Sequence, residues 1–254
     1  MGLFPRFDPD GPDAPRKTGR PRLWELAGRY VWNDLRAGFL ALIGCLPFAA
    51  GLIFSCGAHS LAAAPVLGLI GGAVAGPELC CLADTILRGL RDEQGPWWRA
   101  YRKAWTRSAR AALLPGALGG GLLSTQVFVL VHAQVLQVDA VAGTALVLGM
   151  LLLLGLSLYL WPQMALMDLS LGQLIKNSVL LFIGQLPRSA AAVALLTAYI
   201  VVSLRFFAVA LSLLPVTNLW LPALPALLLI YPGLDEAFGI GAESRADREP
   251  PEDG

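Results

Sequence analysis

The sequence predicts an all-α, polytopic membrane protein with about six transmembrane helices, set in three hairpin-like repeats with cytoplasmic interfacial helices. Three observations predict it. The chain is 56% hydrophobic and only 15% charged, with a mean hydropathy of +0.62. A soluble domain carries about 25% charged residues, so a chain this apolar must present its excess to lipid. Its apolar residues gather in stretches of about 20, the length at which a helix crosses the hydrocarbon core. Its Lys and Arg fall between those stretches, almost all on one side.

The elements follow in chain order. Residues 1–22 and 239–254 are rich in Pro, Gly and charge and poor in large apolar groups. Such segments bury too little to offset chain entropy, so both are expected to be disordered cytoplasmic tails around a six-helix domain over 23–238. The expected spans are Ala37–Cys56, Leu61–Ala83, Ala111–Val131, Val141–Trp161, Ala190–Ala210 and Leu219–Phe238. The last carries Pro222, Pro225 and Pro232, which leaves a re-entrant or tilted element open there. The first apolar stretch is too long for a secretory signal and has no small-residue cleavage site behind it, so none is expected.

Basic residues set the expected orientation. Arg6, Arg16, Lys17, Arg20, Arg22, Arg29 and Arg36 precede the first span, and Arg88, Arg91, Arg99, Arg102, Lys103, Arg107 and Arg110 lie between the second and third. Lys176 and Arg188 come between the fourth and fifth, and Arg245 and Arg248 follow the sixth, so 18 of 19 fall on one side. The positive-inside rule assigns that side to the cytoplasm, with both termini there and His59, His132 and Asp139 outside. Only Arg205 is expected toward the outer side, near the headgroups, by snorkelling or as a partner for Asp139 or an anionic solute.

Each repeat is read as an amphipathic cytoplasmic helix, a crossing out, and a return that meets a proline near the inner surface. The amphipathic helices are Leu23–Arg36, Trp97–Arg110 and Leu171–Leu181; the prolines are Pro77, Pro162 and Pro232, each expected to kink or end its helix. In the middle amphipathic helix, Trp98, Tyr101 and Trp105 follow a helical spacing, with Arg99, Arg102 and Lys103 beside them. Rings and cations together suit the headgroup region, so these six residues are the candidate contact for lipid or for a cytoplasmic partner.

Ionisable groups at membrane depth are costly and are candidates for function. Glu78, just after Pro77, and Arg205 are the candidate intramembrane polar site. The plainer reading of Glu78 is a headgroup-level carboxylate paired with one of the arginines. Asp84 precedes Arg88 by four residues, a favourable helical ion pair expected to be structural. Gln173, Asn177 and Gln185 are expected to make interhelical hydrogen bonds. Gly68, Gly72 and Gly76 form overlapping Gly-xxx-Gly repeats that suit close helix approach, either internally or against another membrane subunit.

Several stretches resemble the YesL-like family of bacterial integral membrane proteins, a domain of unknown function. They are Asn33 to Leu46-Pro47, Ala75-Gly76-Pro77 with Leu82–Leu90, Trp97–Leu114 (WWRAYRKAWTRSARAALL), and Asp168–Arg188 (DLSLGQLIKNSVLLFIGQLPR). The likeness covers roughly residues 23–235, although the family's Pro-Ile-Val-Thr-Ile-Gly-Pro block is absent as a unit. The resemblance implies no activity and no site residues. It implies a context, because such proteins are typically encoded beside ABC sugar-uptake components and glycoside-degrading enzymes.

The chain holds no Gly-x-Ser-x-Gly elbow, no His-Glu-x-x-His and no phosphate loop. Two His and the scattered Cys45, Cys56, Cys80 and Cys81 match neither a zinc site nor a disulfide framework. The expectation is a protein without catalysis, cofactor or metal, and the net charge of +1 makes no case for nucleic acid. Three roles stay open: an accessory subunit beside ABC transporter permease subunits in carbohydrate uptake, a self-sufficient small-solute carrier or channel, and a membrane assembly or structural factor. A homo-oligomer is compatible with each.

Overall fold

A computed structural model describes residues 20–93, 95–167 and 169–239, with side chains from Gly28 onward. Among the described residues the regular structure is entirely helical. The helices are α1 (Arg20–Gly57), α2 (Ala63–Leu90), α3 (Trp97–Val131), α4 (Ala140–Leu166), α5 (Leu171–Gly184), α6 (Leu186–Arg205), α7 (Phe207–Thr217) and α8 (Trp220–Phe238). Six of these (α1, α2, α3, α4, α6 and α8) are long and apolar enough to cross a membrane, while α5 and α7 are too short. The expected tails lie outside the described residues except for 20–22 and 239; Arg20–Arg22 belong to the first turn of α1. Arg245, Arg248 and Asp168 also lie outside them.

Two of the expected interfacial helices are not separate elements. Leu23–Arg36 is continuous with the first span in a 38-residue helix, and Trp97–Arg110 runs straight into the third in one of 35 residues. No helix-breaking residue stands at either junction, so the backbone hydrogen-bond ladder carries on. The second span likewise continues past Ala83 to Leu90. The prolines do not end their helices: α2 continues 13 residues beyond Pro77, and α4 and α8 run on past Pro162 and Pro232. One lost backbone donor is tolerable where neighbouring helices pack on both sides, and Pro77 and Pro162 are both buried. The fifth span is the one that shortens. Phe206 leaves helical geometry (φ −114, ψ 46), so α6 stops at Arg205 and α7 begins.

Three antiparallel pairs build the molecule: α1 with α2, α3 with α4, and α6 with α8. The tightest packing lies between α2 and α3. Gly68, Gly72 and Gly76 of α2 face Gly120, Gly116 and Ala112 of α3 in a register that steps by four residues, one helical turn, on each helix. A methyl group on Gly72 would stand 2.8 Å from Gly120 Cα, and one on Gly116 would stand 2.9 Å from Gly76 Cα. The Gly-xxx-Gly repeats therefore serve an internal contact. On its other side α2 packs on α1, where Gly44 meets the Glu78 side chain, Gly71 meets Phe48 and Gly51 meets Leu67. α2 is the axis of the bundle, and it is buried almost continuously from Cys80 to Leu90.

Polar side chains tie α5–α8 to this frame. Gln163 of α4 donates to Ser178 Oγ of α5 at 3.0 Å, and the Tyr159 and Ser189 hydroxyls share a hydrogen bond of 2.7 Å between α4 and α6. These residues make the interhelical bonds expected of Gln173 and Gln185. Gln173 instead turns back to cap its own helix at Ser170, and Gln185 accepts from Arg188 three residues on. The face of α5 carrying Leu174 and Ser178 meets α4, which leaves Gln173 exposed and Asn177 half-buried.

The α7–α8 corner departs most from expectation. Asn218 is fully buried; its amide donates to Leu35 O of α1 at 3.2 Å and its oxygen accepts from Trp220 N–H at 3.1 Å. Gly38 leaves the space that Asn218 fills. This corner was expected at the end bearing His59 and His132. Instead it sits beside Arg36, at the basic end of α1, because Asn218 finds its backbone partner there. At its other end α8 lays Gly233 against Gln185, so it bridges from α1 to the α5–α6 corner.

Gly72→Val is expected to lower the thermal unfolding midpoint in detergent, at a cost of about 1–3 kcal/mol from overpacking. Gly119→Ala, which meets nothing within 4 Å, is expected to leave the midpoint unchanged. An equal response of the two variants contradicts the seam.

Candidate functional site

The basic ends of α1, α2 and α3 converge, and the chemistry of the molecule concentrates there. α2 is held so close to α3 that side chains on the first turns of α3 reach across it. The Tyr101 hydroxyl donates to Glu78 Oε2, and Trp105 Nε1–H donates to Glu78 Oε1 at 2.9 Å. The expected arginine partner of Glu78 is replaced by two neutral aromatic donors. The reason is geometric: Tyr101 and Trp105 lie one turn apart on the α3 face that meets α2, whereas Arg99, Arg102 and Lys103 point outward and are exposed.

Six residues further along α2, Asp84 is 2% exposed and binds two guanidinium groups. Arg88 Nε donates at 2.7 Å, the expected helical pair, and Arg107 Nη2 of α3 lies at 3.5 Å. Arg107 also donates to Ala165 O, near the C-terminal end of α4 where carbonyls lack helical partners. Asp84 thus joins three helices. Arg88 extends the network to Glu93 at 3.1 Å, and Arg91 meets the same carboxylate at 3.0 Å. Burying a carboxylate is costly unless it is paired and hydrogen-bonded, and both Glu78 and Asp84 meet that condition.

Beside this network lies a small cleft lined by Tyr30, Asn33, Thr85, Arg88, Glu93 and Trp97, among others. Arg36 stands over the Trp97 ring at 5.7 Å, a cation–π arrangement. Trp98 is 58% exposed and stacks nearly parallel on Tyr101 with centroids 6.2 Å apart; Trp105 is 42% exposed. Of the six residues singled out on this helix, Tyr101 is buried and turned inward. Trp98, Arg99, Arg102, Lys103 and Trp105 remain as an exposed aromatic–basic face. Arg205 ends α6 and is exposed; the structure does not pair it with Glu78, whose oxygens are both engaged, nor with Asp139, which accepts from Ala142 N–H at 2.6 Å.

Sequence reasoning passed over two features. Asp34 is 1% exposed, and its Oδ1 has no hydrogen-bond partner among the described residues. Its neighbours at helical spacing, Ala37, Gly38 and Ala41, are the small residues of a packing face, and that was the available signal. The second feature is the contact between His59 and His132, 73 residues apart, which no local pattern announces. Among the described residues no group of three or more His, Cys, Asp or Glu is placed to hold a metal ion.

Asp84→Ala is expected to lower stability by about 1–3 kcal/mol, since it leaves Arg88 and Arg107 without their shared acceptor. Tyr101→Phe, which removes one of two donors to a half-exposed carboxylate, is expected to cost less. Thermal unfolding in detergent with both variants checks the order, and the reverse order contradicts it. Compared with known proteins, the chain matches no family model, no curated protein and no solved structure.

Proposed function

We propose that this chain is a non-catalytic accessory subunit of the bacterial cytoplasmic membrane, working beside the permease subunits of an ABC-type carbohydrate uptake system as a YesL-like protein. In this reading it is multi-pass, its basic end and both termini face the cytoplasm, and it docks through the first turns of α3. The observation that carries the reading is the exposed face of Trp98, Arg99, Arg102, Lys103 and Trp105. That face stands on a helix end anchored from within by the Glu78 and Asp84 contacts. A rigid surface mixing aromatic rings with guanidinium groups has the composition of interface hot spots.

A carrier or channel has less support. The α2–α3 seam is closed by glycine against backbone, and Glu78 and Asp84 are engaged with partners inside the molecule. A solute path needs unspent hydrogen-bonding groups along its length. A purely structural factor would have the same fold but no need of the exposed face.

Mild-detergent extraction from the native membrane, followed by mass spectrometry of what co-purifies, is the test. Permease subunits are expected in stoichiometric amounts and are expected to be lost in a Trp98→Ala/Arg99→Ala/Arg102→Ala variant, which spares the Trp105 and Tyr101 bonds to Glu78 and keeps its unfolding midpoint. Recovery of the chain alone, or only with copies of itself, overturns the reading.

A further inference from the structure

At the end of the molecule opposite the aromatic–basic face, two connectors meet. Residues 58–62 join α1 to α2, and residues 132–139 join α3 to α4. Neither contains Lys, Arg or Glu. Their one side-chain contact by hydrogen bond is between imidazoles: His59 Nδ1 lies 2.9 Å from His132 Nε2. His132 is buried at the end of α3, its ring stacked on Phe128 at 4.3 Å, and its Nδ1 lies 3.0 Å from Phe128 O. His59 is exposed and holds a left-handed backbone (φ 52), which is uncommon for a residue other than glycine.

The hydrogen bonds fix the tautomers. A carbonyl can only accept, so His132 carries its proton on Nδ1 and donates to Phe128 O. Its Nε2 is then a lone pair, and His59 must donate to it from Nδ1. His59 Nε2 is left free on the exposed side. The ring centroids stand 5.0 Å apart with the planes at 81°. Nitrogens facing each other along one line would put the centroids roughly 5.2 Å apart, whereas a shared metal at this nitrogen separation would draw them to about 4.5 Å. The arrangement is therefore that of a shared proton.

From this geometry we infer that the two histidines form a bridge that accepts one proton and is opened by a second. The first proton enters at His59 Nε2 and leaves both hydrogen bonds in place. The second has only His132 Nε2 to occupy. There an N–H would point at the N–H of His59, and two imidazolium rings would stand in contact. The bridge then parts, releasing the 58–62 connector and the backbone held at His59. The other titratable groups at this end do not offset the charge. Asp139 is turned to the N-terminus of its own helix, bonded to Ala142 N–H, and Cys56, a free cysteine three residues before His59, supplies no carboxylate. Acid on this face thus loosens the α1–α2 connector from the α3–α4 connector. The inference does not depend on the accessory role proposed above.

The test is nitrogen NMR of ¹⁵N-histidine in the full chain, reconstituted in lipid nanodiscs, from pH 8.5 to 4.5. At high pH both rings are expected to carry their proton on Nδ1. Protonation is expected in two steps separated by more than about one pH unit, as for strongly interacting sites. Spin labels at Ala58 and Gln134 are expected to broaden in distance only across the lower step. In His59→Gln, which can still donate to His132 Nε2, a single protonation step is expected in place of two. Titration of both rings in one step, an Nε2-protonated His132 at high pH, or a label distance unchanged through the lower step overturns the bridge. The wild-type titration decides by itself if the variant fails to fold.

Discussion

The approach of α2 to α3 is the constraint from which the other contacts follow. Three glycines on α2 meet two glycines and an alanine on α3, and backbone touches backbone at three successive positions. In a bilayer, hydrophobic transfer contributes little between helices, so association relies on van der Waals contact and on hydrogen bonds. Both need short distances. With side chains at Gly72 and Gly116 the axes would move apart, and the donors at the start of α3 would no longer reach the carboxylates of α2.

That closeness explains how the chain tolerates acidic residues near the membrane boundary. Glu78 is satisfied by a tyrosine and a tryptophan, Asp84 by two arginines, and the second arginine also caps the end of α4. Each carboxylate lies on the helix that runs through the centre of the bundle, and each partner comes from the same helix or the next. The inward rotation of Tyr101 is the local cost of this arrangement, and the outward array of Trp98, Arg99, Arg102 and Lys103 is its consequence. The surface that best suits a partner is the reverse side of an internal lock.

The two ends of the bundle differ in chemistry. The basic end is crowded with ion pairs and aromatic rings, and the α7–α8 corner is drawn to it through Asn218. The opposite end carries short connectors without Lys or Arg, joined by one imidazole pair. One end is thus charged and held by many side-chain contacts, and the other is sparse, with a single side-chain hydrogen bond between its connectors.

Local composition was enough for the sequence to determine the membrane class, the six long apolar helices, the lopsided distribution of basic residues and the Asp84–Arg88 pair. Each depends on residues within a few turns of one another, where helical spacing does the arithmetic. The register of Gly68, Gly72 and Gly76 was legible as a packing face, though not its partner. Only the tertiary structure decided what meets across helices: Tyr101 and Trp105 with Glu78, Arg107 with Ala165, Asn218 with Leu35, and His59 with His132. These pairs are separated by between 23 and 183 residues. A single sequence records the donors and acceptors of such contacts without their matching, because the matching is set by which helices pack together and in what register.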